Sequence, residues 1–125
     1  MTNTEYLSIY LKTYQLIKFL HIRIRSFPKE YKYNLGEEIL RLAWKCIDNI
    51  IEANVLSDNR KHFKISELSS SFDKLKARLR LAQEINLISI KQYSHIQAYY
   101  MKKIGEEIGG WLSWAFSKTI NIPRG

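Results

Sequence analysis

The stretch Leu68-Ser69-Ser70-Ser71-Phe72-Asp73-Lys74-Leu75-Lys76-Ala77-Arg78-Leu79-Arg80-Leu81-Ala82 decides the fold class. Within it Leu68, Phe72, Leu75, Leu79 and Ala82 step by four, three, four and three. That rhythm, near 3.5 residues, draws one apolar seam along an α-helix and keeps Lys74, Lys76, Arg78 and Arg80 off it. A strand would instead alternate at every second residue. Working outward, the same rhythm recurs in three other segments. The first carries Leu7, Tyr10, Tyr14, Ile17 and Ile24, widened by Tyr6, Ile9, Leu16 and Leu20. The next carries Leu35, Ile39, Leu42 and Cys46, flanked by Ala43, Ile47 and Ile50. The last carries Tyr93, Ile96, Tyr100, Ile104, Ile108 and Trp111.

Breaks fall at Ser26-Phe27-Pro28, at Asn34-Leu35-Gly36, at Ser57-Asp58-Asn59 and between Asn86 and Ser89, and Asn121-Ile122-Pro123-Arg124-Gly125 closes the chain. Pro28 lacks an N–H and biases Phe27 away from helical angles, which ends the first helix near Arg25. Asn34 reads as an N-cap, with Glu37 completing a capping box. Helices are therefore expected at about 4–25, 35–56, 62–85 and 89–119. Their short connections predict a single all-α domain over 1–125, an up-down-up-down antiparallel four-helix bundle. With 125 residues, five Gly and two Pro, the chain has too few turn residues for a β-sandwich or barrel. Its 46% hydrophobic and 26% charged content excludes wholesale disorder.

Cys46 is the one cysteine, which excludes a disulfide framework and a cysteine-based zinc cluster and reads as a small buried hydrophobe. No secretory pattern opens the sequence and no apolar run reaches ~18 residues, so a cytoplasmic protein without a membrane span is expected. No enzyme chemistry is visible. His21, His62 and His95 lie on separate segments, and no Glu stands three residues before any of them, as a di-metal bundle would need. His21 falls on the first seam as a core or interface histidine, while His62 and His95 read as solvent-facing. The doublets Glu37-Glu38 and Glu106-Glu107 point about 100° apart around a helix, so neither forms a facing acid–base pair. The run Gly105-Glu106-Glu107-Ile108-Gly109-Gly110 sits mid-helix and no Gly-Lys-Ser/Thr follows it; its spacing suits close helix approach rather than a phosphate. Tyr99-Tyr100 offers stacking surface, although Tyr100 belongs to the seam. No catalytic residue, metal or cofactor is expected.

Two features point to binding instead. Trp44, Ile47 and Ile51 lie off the second seam, and Trp114 and Phe116 extend past Trp111. A lone bundle of this size has no interior for all these rings, so Trp44, Ile47, Ile51, Trp111 and Trp114 are expected at a homo-oligomer interface. The net charge is +8, from 20 Lys and Arg against 12 Asp and Glu. Lys18, Arg23 and Arg25 gather on the first helix. Lys74, Lys76, Arg78 and Arg80 gather on the third, with Arg60, Lys61 and Lys64 leading in. Two helices with rows of cations make an electrostatic footprint for a phosphate backbone, one that reads shape and charge because no helix-turn-helix is present.

Three stretches carry a resemblance: Phe27-Pro28-Lys29-Glu30-Tyr31-Lys32-Tyr33-Asn34-Leu35-Gly36, the helix containing Glu38-Ile39-Leu40-Arg41 and Ile47-Asp48-Asn49-Ile50-Ile51-Glu52-Ala53, and Leu75-Lys76-Ala77-Arg78-Leu79-Arg80-Leu81-Ala82. Over residues 5–116 the chain resembles the four-helix-bundle family of diversity-generating retroelement accessory variability determinants (Avd) and proteins encoded in 23S rRNA intervening sequences. The closing Ile104-Gly105-Glu106-Glu107-Ile108-Gly109-Gly110-Trp111-Leu112-Ser113-Trp114 is similar to the Avd branch. The resemblance implies a pentameric, basic, non-enzymatic protein that binds the reverse transcriptase and its template RNA for mutagenic cDNA synthesis. Lys76 and Arg80 match the two-cation pattern of that family's third helix. The alternatives are an intervening-sequence protein, whose Asn-Ile-Ala-Glu-Gly ending differs from Asn49-Ile50-Ile51-Glu52-Ala53 here, and a helical protein adaptor indifferent to RNA.

Overall fold

In a computed structural model, which describes residues 3–119, the helices join into four rods. The first is α1 (Asn3–Ile24). The second starts as α2 (Lys29–Tyr31), passes through a π-helical turn at Lys32–Gly36 and continues as α3 (Glu37–Val55). The third is α4 (Lys61–Glu84), entered through a 3-10 turn at Asp58–Arg60. The fourth is α5 (Ile90–Ile96), a π-helical turn at Gln97–Met101, and α6 (Lys102–Thr119). The expected non-helical close at Asn121–Gly125 lies outside the described residues.

Long-range contacts fix the antiparallel order. Ser8 meets Glu107 while Phe19 meets His95, so α1 runs against the fourth rod. Glu52 meets Lys64 while Glu38 meets Arg78, so α3 runs against α4. Both α1 and α4 pack on α3 and on α6. The square is therefore closed, with α1 and α4 on opposite corners and α3 opposite α6. This is an all-α four-helix bundle.

The α4 seam lies as the spacing predicts: Leu68, Phe72, Leu75, Leu79 and Ala82 are all buried, joined by Ile65. Cys46 lies within the α3 seam among Leu42, Ala43 and Ile50. Two seams depart from the expectation. On α1, Leu7 and Tyr14 are exposed, and the buried line is Ile9, Thr13, Leu16, Leu20 and Ile24. The polar Thr13 in mid-seam conceals that line from a hydrophobic count. On the fourth rod, the π turn inserts one residue, so burial passes from Ile96 to Met101 rather than to Tyr100.

The corner between the first two rods also differs. Asn34 caps nothing: the second rod already begins at Lys29, and Asn34 lies inside it. Its Nδ2 donates to the Glu30 carbonyl at 2.5 Å and its Oδ1 accepts from Leu35 N–H. The buried Gly36 lets this rod fold back on α1. A Cβ there would stand 2.8 Å from Ile24 Cγ2 and 3.3 Å from the Tyr31 carbonyl. At the next corner Lys61, buried at 7% exposure, donates to the carbonyls of Ala53 (2.9 Å), Asn54 (3.0 Å) and Leu56 (2.7 Å). It closes the C-terminus of α3 instead of joining the surface cations, and burial pushes its pKa down. At the last corner Asn86 takes the left-handed conformation (φ 65°). Leu87 N–H reaches the Ala82 carbonyl at 2.8 Å and Asn86 N–H the Gln83 carbonyl at 3.0 Å, a Schellman stop. Ser89 and Gln92 then form a capping box that starts α5.

Gly36→Ala is expected to lose about 1–3 kcal/mol in urea unfolding, because the methyl overpacks the corner against Ile24. Burial pushes the Cys46 thiol from 9.0 up to about 12. Between those values the unfolded chain ionises while the native one does not, so Cys46 lowers stability as pH rises through that window. At about pH 8, where free thiols react, Cys46 is expected to resist Ellman's reagent until the protein is denatured.

Candidate nucleic-acid interface

With α1 and α4 on opposite corners, their cations meet only across a rod lying between them. On one side that rod is α3, where Glu37, Glu38, Asp48 and Glu52 outnumber Arg41 and Lys45. On the other is the fourth rod. Residues 85–105, its N-terminal half with the preceding turn, contain no Asp or Glu. They contain Lys91, Lys102 and Lys103, all exposed, with His95 and three tyrosines.

A groove of about 790 Å³ runs between α4 and this half-rod, with Lys76, Phe72, Tyr93 and Lys102 among its walls. Gly105 sets its depth, since a Cβ there would come within 3.3 Å of the Phe72 ring. Lys76 Nζ stands 5.5 Å from the centre of the Phe72 ring and 3.3 Å from Asp73 Oδ1. Arg80 pairs with Glu84 at 2.8 Å. That hydrogen bond, then the Glu84 charge, hold the guanidinium pKa up, and the nearby Tyr93 adds to the effect. Both ion pairs are exposed and lie within one helix, so salt screens them and a phosphate competes directly with the carboxylate.

The other flank is α1. The Arg23 guanidinium lies 5.1 Å from the centre of the Phe19 ring. Phe19 in turn lies 5.4 Å from both His95 and Tyr100, and His95 lies 4.4 Å from Tyr99. Tyr99 is 64% exposed, and Arg23 Nε is buried without a partner among the described residues. Exposed rings beside cations are the elements with which proteins hold unpaired nucleotides.

The structure thus gathers Lys76, Arg80 and Arg23 around the fourth rod. It does not gather the rest. Arg78 turns to α3, 3.8 Å from Glu38, and donates to the Lys74 carbonyl at 3.5 Å, which sets Lys74 and Arg78 on another ridge. Glu38 is held below the usual carboxylate range, first by its hydrogen bond from Arg41, against desolvation, and then by the charges of Arg41, Arg78 and Lys74. Lys18 lies over Tyr14 at 6.0 Å on the exposed side of α1, and Arg25 is exposed beyond its end. Lys91, Lys102, Lys103 and Tyr93 do not belong to the cation rows legible in the sequence, although the acid-free run is there to be seen.

The aromatic surplus also divides. Ile47 and Trp111 are not surface residues: each belongs to the core, at 2% and 4% exposure. Trp44 and Ile51 are exposed and Trp114 is half-buried. His21 is exposed rather than in the seam, and its Nε2 accepts from Trp44 Nε1 at 3.1 Å. Exposed apolar side chains continue as Leu7, Leu11, Tyr14 and Ile22 on α1 and as Val55 on α3.

A family profile described as bAvd-like matches residues 7–115. The chain belongs to the bAvd-like family. No curated protein and no solved structure matches it. For this bAvd-like chain, no described residues form a group of three or more His, Cys, Asp or Glu able to hold a metal ion. No helix among them is long and apolar enough to cross a membrane.

Two paired charge reversals test whether the fourth rod carries a polyanion-binding face. Lys102→Glu with Lys103→Glu, and Arg41→Glu with Lys45→Glu, change the net charge by the same amount. The fourth-rod pair is expected to elute from heparin at clearly lower salt, and the α3 pair close to the parent.

Proposed function

We propose that this chain is a non-enzymatic accessory protein of a diversity-generating retroelement. In this reading it binds the template RNA and the reverse transcriptase and supports mutagenic copying of the template into cDNA. The observation that carries the reading is the ring-bearing N-terminal half of the fourth rod, without an acid over residues 85–105 and flanked by Lys76, Arg80 and Arg23, in a chain of the bAvd-like family. Such a face draws in a phosphate backbone through counterion release and leaves its rings for unpaired bases.

Self-association is the second part of the proposal. The apolar side chains exposed on α1 and α3, with Trp44, Ile51 and Val55 among them, supply a surface for copies of the chain. A pentamer built through them leaves the fourth rods outward, so that RNA meets several basic faces at once. The reverse transcriptase then docks on the assembled scaffold.

Native mass spectrometry is expected to give a mass near five protomers. Structured RNA is expected to be retained with an affinity that falls steeply with salt. In Lys102→Glu with Lys103→Glu, the slope of log K against log salt should shrink by about 0.7–0.9 for each phosphate that is no longer neutralised. A monomer indifferent to RNA at low salt would contradict the proposal.

A further inference from the structure

The π turn at Gln97–Met101 lines up side chains that a regular helix would separate. Between His95 and Lys103 an unbroken α-helix would turn by about 800°, leaving the two about 80° apart around the rod. Instead His95 directly precedes the buried Ile96, and Lys103 directly precedes the buried Ile104. Both therefore stand about 100° from the core, turned the same way. The side they share is that of α1: His95 lies 5.4 Å from Phe19, and Glu107, one turn after Lys103, accepts from Ser8 and Lys12. Tyr99 lies against His95, with ring centres 4.4 Å apart, and Lys91 comes one turn before His95. Lys91, His95, Tyr99 and Lys103 are all exposed. They make one ridge at steps of four, two rings between two lysines.

The rings stand in an ordered series. The Arg23 guanidinium lies 5.1 Å from the centre of the Phe19 ring. Phe19 and His95 tilt by 37° to each other, and His95 and Tyr99 by 31°. Tyr99 ends the series: it is 64% exposed and meets no further ring among the described residues. No free acid competes for the lysines. Residues 85–105 have none, Glu107 is paired with Lys12, and the one acid of α1, Glu5, lies at the end of that helix away from Phe19. An acidic peptide would answer the lysines and leave the Tyr99 face bare. An RNA duplex would do the same, because its bases are stacked on one another. An unpaired nucleotide supplies both a phosphate and a ring face.

We propose that this ridge is a stacking site for a short unpaired stretch of RNA. One base closes on the open face of Tyr99, and phosphates on either side of it meet Lys91 and Lys103. The two lysines are ~18 Å apart along the rod, which spans about five nucleotides at 3.4 Å a step. The site rests on the RNA-binding reading and adds to it a preference for single strands over duplex.

Fluorescence anisotropy with an unstructured RNA strand and a blunt RNA duplex of equal phosphate number tests this. The parent is expected to bind the single strand more tightly. Tyr99→Ala should weaken single-strand binding about five- to 150-fold, the range for one lost base–aromatic stack, and leave duplex binding and the salt slope unchanged. Tyr99→Phe, which keeps the ring, should bind as the parent does. Lys91→Ala should instead reduce the single-strand salt slope by about 0.7. Because Tyr99 is exposed, its variants are expected to melt with the parent, which circular dichroism checks. The inference is overturned if Tyr99→Ala binds the single strand as the parent does, if it weakens both RNAs equally, or if Tyr99→Phe loses as much as Tyr99→Ala. Any of these with RNA still bound by the parent sinks the stacking site alone; a parent that binds neither RNA at low salt sinks the RNA-binding reading and the site with it.

Discussion

The surface of this protein follows from one packing constraint. Four rods, each with one apolar seam, close into a square, and the first and third fall on opposite corners. Cations on α1 and α4 therefore cannot form one field by touching. They join only across an intervening rod, and the two candidates differ: the second rod (29–55) holds five acids and four cations, the fourth (90–119) four lysines and two glutamates. On α3, carboxylates outnumber cations. The fourth rod has no acid before Glu106. The bundle is thus charged unevenly around its axis, with Arg23, Lys91, Lys102, Lys103, Lys76 and Arg80 on or beside one rod.

Irregular features inside the rods supply the detail. The π turn at Gln97–Met101 carries the seam from Ile96 to Met101 and leaves Tyr99 exposed beside His95. Without that inserted residue, Tyr100 would take the buried place. The other π turn, at Lys32–Gly36, brings Gly36 against Ile24 and joins α2 to α3, so that the second rod begins at Lys29, six residues before the expected start. Gly105 similarly admits the Phe72 ring to the wall of the groove. At the two π turns a departure from regular helix, and at Gly105 a missing side chain, decides how the neighbouring side chains are placed.

This explains what the sequence made legible. The α4 seam was readable because every fourth or third residue is large and apolar, and Pro28 and Asn86–Ser89 gave real boundaries. Thr13 and the π turns were not readable, since a hydrophobic period registers neither a buried hydroxyl nor an extra residue within a continuous helix. Lys61 counts as one more cation in the sequence, whereas in the fold three backbone carbonyls surround its ammonium. Lys76 and Arg80 lie near the proposed RNA face, whereas Lys74 and Arg78 belong to a different ridge, a distinction that depends on where neighbouring rods stand. Ile47 and Trp111 read as surplus because a one-dimensional stripe underestimates the breadth of a four-rod core.

The proposed function assigns self-association to the exposed apolar side chains of α1 and α3 and polyanion binding to the basic half of the fourth rod. Lysine acetylation, read by mass spectrometry with and without bound RNA, tests this division most directly. The account predicts protection of Lys76, Lys91, Lys102 and Lys103 by RNA, with Lys45 and Lys64 reacting as they do in its absence. Equal protection everywhere, or protection of Lys45 and Lys64 while the fourth-rod lysines stay reactive, would contradict it.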